Sequence, residues 1–226
     1  MQRNIDAGLA ELKQHLVRMA GLVEAAIEKV TLAWKQQSLE RLKEVYEIEN
    51  QVNAAHLQID ADCLRLLATQ QPLAGELRLI LATIKMNNDL ERIVDQTVNI
   101  GHNLEHFVRA PDAHLDLTDL EKIASEVKTM VRGSIDAFVR QDEMLARSVI
   151  RSDDYVDDLK NSIFTETLAR IKKDQDAVEQ GLNIILIARN FERIGDHATN
   201  IAEDVIFSCS GEDIRHPGLN ATKESK

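Results

Sequence analysis

The sequence predicts an all-α protein built as two tandem three-helix bundles related by an internal repeat. Three observations carry that expectation. Apolar residues recur at helical spacing along nearly all of the 226 residues. The residues that strands and turn-rich sheets require are scarce, with 9 Gly, 3 Pro and 4% aromatics. One phrase is also written twice, "ERIVDQTVNI" from Glu91 and "ERIGDHATNI" from Glu192, with six of ten positions identical.

The elements follow in order. Leu9, Leu12, Leu16, Met19, Val23, Ile27 and Val30 form one apolar stripe, a first helix that ends near Gln36. Ser38 offers an N-cap oxygen to a second helix running to about Thr69. Pro72 suits the first turn of a third helix, which carries the first copy of the phrase and fades near Val108. The stretch "RAPDAHLDL" reads as a linker. Thr118 and Glu121 then read as a capping box for a fourth helix that reaches about Arg140. Asp142 caps a fifth helix ending near Lys173, and a sixth runs from about Asp176 to Phe207. The first bundle thus spans 1–109, the linker 110–117, the second bundle 118–209 and a flexible polar tail 210–226. The repeat extends beyond the phrase. Val23 and Ile27 align with Val131 and Ile135 at an offset of 108, Glu49 and Val52 with Asp153 and Val156 at 104, and Glu91 with Glu192 at 101. The offset shrinks only where loops lie. Trp34 and the methionines read as packing residues.

Composition limits what such a protein can do. Its formal net charge of −11, with no basic stripe, argues against nucleic-acid binding and against direct attachment to an anionic membrane. Cys63 and Cys209 lack the spacing of a metal or redox motif and read as small hydrophobes in a reducing compartment. No signal core and no apolar run of membrane-spanning length is present, so a cytoplasmic location is expected.

The repeated phrase carries the chemistry. At about 100° per residue, Asp95 lies about 40°, Asn99 about 80° and His102 about 20° from Glu91, on one narrow face. Glu192, Asp196, Asn200 and Glu203 repeat that face on the sixth helix. The preceding helices offer weaker counterparts: Glu49 with Asn53, and Asp153 with Asp157, Lys160 lying beyond. Acids four apart on a helix repel by about 0.2–0.5 kcal/mol. A gathered cation relieves that cost. Carboxylate oxygens suit hard ions such as Mg²⁺, Mn²⁺, Ca²⁺ and Fe³⁺, and with an added imidazole also Zn²⁺ or Fe²⁺. The competing reading is a solvated face in which Arg92 and Arg193 satisfy the acids. His102 and His197 are read as structural, because Glu203 replaces the first in the second copy and the second points about 100° away from Asp196.

On these residues the chain resembles the PhoU family of phosphate-specific transport accessory proteins. The doubled ERI-x-D-x-x-x-N-I phrase sits on the last helix of each bundle, and the resemblance covers about residues 5 to 208. It implies multinuclear iron or zinc on the bundle surfaces, with Glu49, Glu91 and Asp95 in the first bundle and Asp153, Asp157, Glu192 and Asp196 in the second. The first copy departs from the family motif, since Glu49 is followed by Asn53 rather than an acid, and the second bundle is therefore the better metal candidate. The resemblance also implies a homodimer and a regulatory role without catalysis. That role is restraint of phosphate uptake and of the phosphate-starvation response, through the ATPase subunit of a phosphate ABC transporter and a phosphate-sensing histidine kinase. Membrane contact would run only through those partners.

Two rival classes leave different marks. A ferritin-like di-iron oxidase needs inward Glu-x-x-His pairs, which are absent, and neither a Gly-rich phosphate loop nor a nucleophile elbow is found. A metal-binding helical bundle in storage or scavenging, without phosphate signalling, is the alternative that the acidic faces leave open.

Overall fold

The computed structural model describes residues 4–110 and 117–215. Six long α-helices carry almost all of it: α1 (Asn4–Gln36), α2 (Leu42–Gln70), α3 (Ala74–Arg109), α4 (Thr118–Arg140), α5 (Glu143–Lys173) and α6 (Val178–Ser210). Short 3-10 turns, Leu39–Arg41 and Gln175–Ala177, precede α2 and α6. No strand occurs among the described residues.

The helix ends show where side chains found better partners than the local pattern suggests. Asp142 does cap α5, its carboxylate accepting from the Leu145 N–H at 3.0 Å. Ser38 takes the extended cap conformation, yet makes no side-chain cap bond, because a 3-10 turn intervenes before α2. Pro72 lies just before α3 rather than within it, and Glu76 reaches back to the Leu73 N–H at 2.6 Å. The expected capping box on α4 is displaced. Leu117 holds the cap position, Thr118 is already helical, and Glu121 turns outward to Lys35 of α1 at 3.1 Å. An ion pair across the two bundles has taken the carboxylate that a local cap would have used. The α6 helix continues to Ser210 and stops at Gly211, whose φ of +78° is the left-handed conformation that lacks a penalty only for glycine. Beyond it the chain stays on the surface as far as Arg215: Glu212 pairs with Arg147 at 3.2 Å and Ile214 packs against the core. The rest of the expected tail and most of the expected linker lie outside the described residues.

The predicted core stripes are buried. Leu12, Leu16, Met19, Val23, Ile27 and Val30 are at most 1% exposed, and their repeat mates Val131 and Ile135 are buried with them. At about 1.5–3 kcal/mol for each large aliphatic side chain removed from water, this stripe is a large favourable contribution to folding. Trp34 packs against Phe107 with ring centroids 4.9 Å apart. The two halves do not keep separate interiors. One continuous hydrophobic core includes residues of all six helices.

The halves join chiefly through α3 and α6. Lys85 pairs with Asp204 at 2.9 Å, Asp89 with His197 at 2.8 Å, and the Gln180 amide donates to the Phe107 carbonyl at 3.4 Å. Partner numbers fall along α6 as they rise along α3, so the helices run antiparallel. At the repeat offset of 101, Asp89 corresponds to Asn190 and His197 to Gln96. The repeat-equivalent positions therefore hold a carboxylate–imidazole pair in one half and two buried amide side chains in the other. The helices α1 and α4 meet on the opposite side, through Glu28 with Lys128 at 2.9 Å and Lys35 with Glu121.

Candidate metal-binding faces

The second-bundle residues converge as the spacing suggests. Asp153 and Asp157 rise from α5 beside Glu192 and Asp196 of α6. Gly195 faces α5, where an added Cβ would stand 3.5 Å from Val156 Cγ1 and 3.8 Å from Asp153 Oδ1. The first copy has Val94 at this position. The small residue brings the α5 carboxylate close to the α6 backbone.

The electrostatics are those of a crowded acidic groove. Asp196 is pushed up to about 6, chiefly by loss of solvation, then by the carboxylates of Glu192, Asp153 and Asp157, with His197 acting weakly the other way. Its side chain as a whole is exposed, but the groove strips water from the carboxylate end. Asp153 is also raised, by burial first and Asp157 second. The Thr199 hydroxyl, buried beside Asp153, opposes part of that rise. Lys160 answers part of the repulsion. Its Nζ lies 3.0 Å from Asp157 and 3.4 Å from Glu192, bridging the two helices.

The sign of a pH effect follows. A folded-state value above the ordinary carboxylate range of about 4 means that Asp196 favours the folded state when protonated. That contribution is present below about pH 4 and is lost as pH rises through about 6. Asp196→Asn in metal-free protein is expected to raise stability at pH 7.5 and to leave it unchanged at pH 4. Solvent screening at this exposed position limits the gain to about 1 kcal/mol. Urea melts at the two pH values measure it, and an equal effect at both would show that the repulsion is fully screened.

The first-bundle residues are distributed differently. Arg92 lies 3.4 Å from Glu91 and 3.1 Å from Asp95, satisfying both from their own helix. Glu49 stands near Tyr46, whose phenol is pushed up to about 12 by burial and by Glu105, with Glu49 a smaller cause. His102 stacks on Tyr46 at 5.6 Å instead of joining the acids. His56 lies 3.4 Å from Asp60. His197 turns to Asp89 in the α3–α6 interface.

Among the described residues no group of three or more His, Cys, Asp or Glu side chains is already gathered tightly enough to hold a metal. The donor chemistry of the α5–α6 groove nevertheless fits a hard cation: four carboxylates, a buried hydroxyl and no imidazole. Occupation would require Lys160 to swing out. The α2–α3 face fits less well, because Arg92 already neutralises its acid pair. Sequence reading missed Thr199 and the bridging role of Lys160. Thr199 stands at a position of the phrase that differs between the copies, Val98 in the first, and the Lys160 bridge depends on the register of α5 against α6.

Fold and site together define a class, an all-helical tandem duplication with acidic oxygen-donor faces on its paired outer helices. The PhoU domain is matched twice, over residues 16–104 and 120–205. The phosphate-specific transport system accessory protein PhoU homolog of Pseudomonas aeruginosa is 36% identical over 224 residues, 99% of this chain and 93% of the relative. The Aquifex aeolicus homolog is 34% identical over 216 residues, 96% of this chain and 97% of the relative. A crystal structure of PhoU from Pseudomonas aeruginosa superposes with a TM-score of 0.89 at 35% identity, covering 92% of this chain and all of that one. One from Streptococcus pneumoniae gives 0.85 at 24% identity, covering 92% of this chain and 98% of that one, a likeness of fold. The chain belongs to the PhoU family.

Proposed function

We propose that this protein is an accessory regulator of a phosphate transport system, restraining phosphate uptake and the phosphate-starvation response when phosphate is plentiful. Its partners in this reading are the ATPase subunit of a phosphate ABC transporter and a phosphate-sensing histidine kinase. The supporting observation is end-to-end similarity, across both PhoU domains, to proteins named phosphate-specific transport system accessory proteins. No helix among the described residues is long and apolar enough to cross a membrane, so contact with a transporter runs through protein partners in this reading. Such contacts are transient and polar-rimmed, which suits a surface of exposed charge. The protein works as a binding partner in the cytoplasm and not as a catalyst.

Removing the gene is expected to raise alkaline phosphatase and accumulated phosphate during phosphate-rich growth, with both restored by the full chain. Wild-type levels in the deletion, in a strain without a second gene of this family, would overturn the regulatory reading. The acidic α5–α6 groove would then favour a metal-binding bundle in storage or scavenging. A homodimer belongs to the same proposal, since Leu57 and Leu64 leave exposed aliphatic area on α2. Light scattering is expected to give about twice the 25.4 kDa chain mass, and a monomer at all concentrations would refute it.

A further inference from the structure

The outward faces of α3 and α6 repeat a second feature that neither the core nor the metal reading uses. Leu77 and Leu81 are 38% and 40% exposed. Their mates at the offset of 101 are Val178 and Leu182, 38% and 52% exposed. Single exposed aliphatics are ordinary, but two pairs at the same register in both halves are not. Folding does not require them to be apolar, since a polar side chain at the same exposed position leaves the core intact.

These pairs align with the acids. Leu77 precedes Asp95 by eighteen residues, and so does Leu81 precede Asn99, an interval of five helical turns that brings each pair onto one direction. Val178 and Asp196, and Leu182 and Asn200, repeat the interval. Each outer face therefore has an aliphatic end and an acidic end, separated by about 15–27 Å at 1.5 Å per residue. The acidic end of α6 already accommodates an ammonium, because Lys160 bridges Asp157 and Glu192. Asp153 and Asp196 keep no Lys or Arg partner among the described residues, so that end has charge left to satisfy.

We infer that the outer face of α6 is a docking surface for a cationic amphipathic helix, whereas on α3 the acids Glu91 and Asp95 are already paired with Arg92. Its apolar residues cover Val178 and Leu182, and its Lys or Arg side chains meet the acids three to five turns away. A helix suits a surface of this kind because it satisfies its own backbone hydrogen bonds where no strand edge is offered. A second copy of this chain suits it poorly, since its net charge is −11 and the same face would set acid against acid. The inference rests on the proposed regulatory role and gives its partners a chemistry.

The probe is a model helix of about 20 residues, about 30 Å long, with leucines at one end and lysines at the other. Its control carries Glu in place of each Lys. Both are titrated into the chelator-treated full chain and followed by fluorescence anisotropy. The lysine peptide is expected to bind at one site per chain, at least about tenfold tighter than the control, and to weaken as salt is raised. Val178→Ser with Leu182→Ser is expected to abolish that binding and Leu77→Ser with Leu81→Ser to leave it, with helicity by circular dichroism unchanged. Equal binding of both peptides, or binding indifferent to the Val178 and Leu182 substitutions, overturns the inference. So does a loss of self-association in the serine variants while peptide binding persists, because the occupant would then be a second copy. A clear deletion phenotype alongside peptide failure would sink this inference and leave the regulatory reading standing.

Discussion

Lys85→Met is expected to destabilise the protein by about 2–3 kcal/mol at pH 7, and by markedly less at pH 4. Asp204 is 4% exposed and sits in the α3–α6 interface, where Lys85 Nζ reaches it at 2.9 Å. Burial raises the Asp204 carboxylate, and Lys85 is the largest opposing influence. Removing one partner of a buried pair leaves the other charge uncompensated, which typically costs about 3–5 kcal/mol. Arg215 supplies part of the missing charge and Lys85 is itself partly solvated, so the lower figure applies here. The sign with pH follows from the raised carboxylate. Protonated Asp204 favours the folded state, and that benefit is lost as pH rises, more steeply once Lys85 is gone. Pairing Lys85→Met with Asp204→Asn should recover most of the loss at pH 7. Chemical denaturation at both pH values measures it. A pH-independent loss would mean that the effect comes from the Lys85 ammonium over Phe207, its Nζ 5.4 Å from the ring centroid, and not from the Asp204 pair.

Glu192→Ala combined with Asp196→Ala is expected to lower the iron retained per chain by more than about tenfold after loading with the metal alone, as read by elemental analysis. Iron is the ion to load first, because the groove offers carboxylates and a hydroxyl without the imidazole or thiolate that zinc ordinarily recruits. Glu91→Ala with Asp95→Ala should change the content far less, since Arg92 already holds that pair. Retention should also fall below about pH 6, where Asp196 takes up a proton that the metal would have to displace. Unchanged iron in the Glu192 and Asp196 variant would leave the groove as a salt-bridged surface with Lys160 as its resident cation.

Much of this molecule is written locally. The 3.6-residue period of Leu12, Leu16, Met19 and Val23 defines a buried stripe whatever the helix packs against, because the direction of each side chain depends only on its place along the helix. The Asp142 cap is similarly local, needing only a carboxylate three residues before an N–H. The internal repeat, read from three shrinking offsets, is enough to assign six helices in two equivalent halves. It also places Glu192 and Asp196 on one face and prepares the α5 acids to meet them.

What neighbours those faces meet was decided only in three dimensions. A helical wheel says which way His197 points, but not that Asp89 of the other half waits there at 2.8 Å. It places Lys160 one turn past Asp157, but the bridge to Glu192 depends on how α5 slides along α6. Glu121 had the sequence of a cap and became an inter-bundle ion pair, because Lys35 was brought within reach by the packing of α1 on α4. The fusion of two bundles into one core had no sequence signature, since a stripe facing its own bundle and a stripe facing the other bundle carry the same period. Periodicity specifies direction within a helix, whereas partners are chosen by the complementarity of whole surfaces, and that became legible only when α3 and α6 were seen side by side.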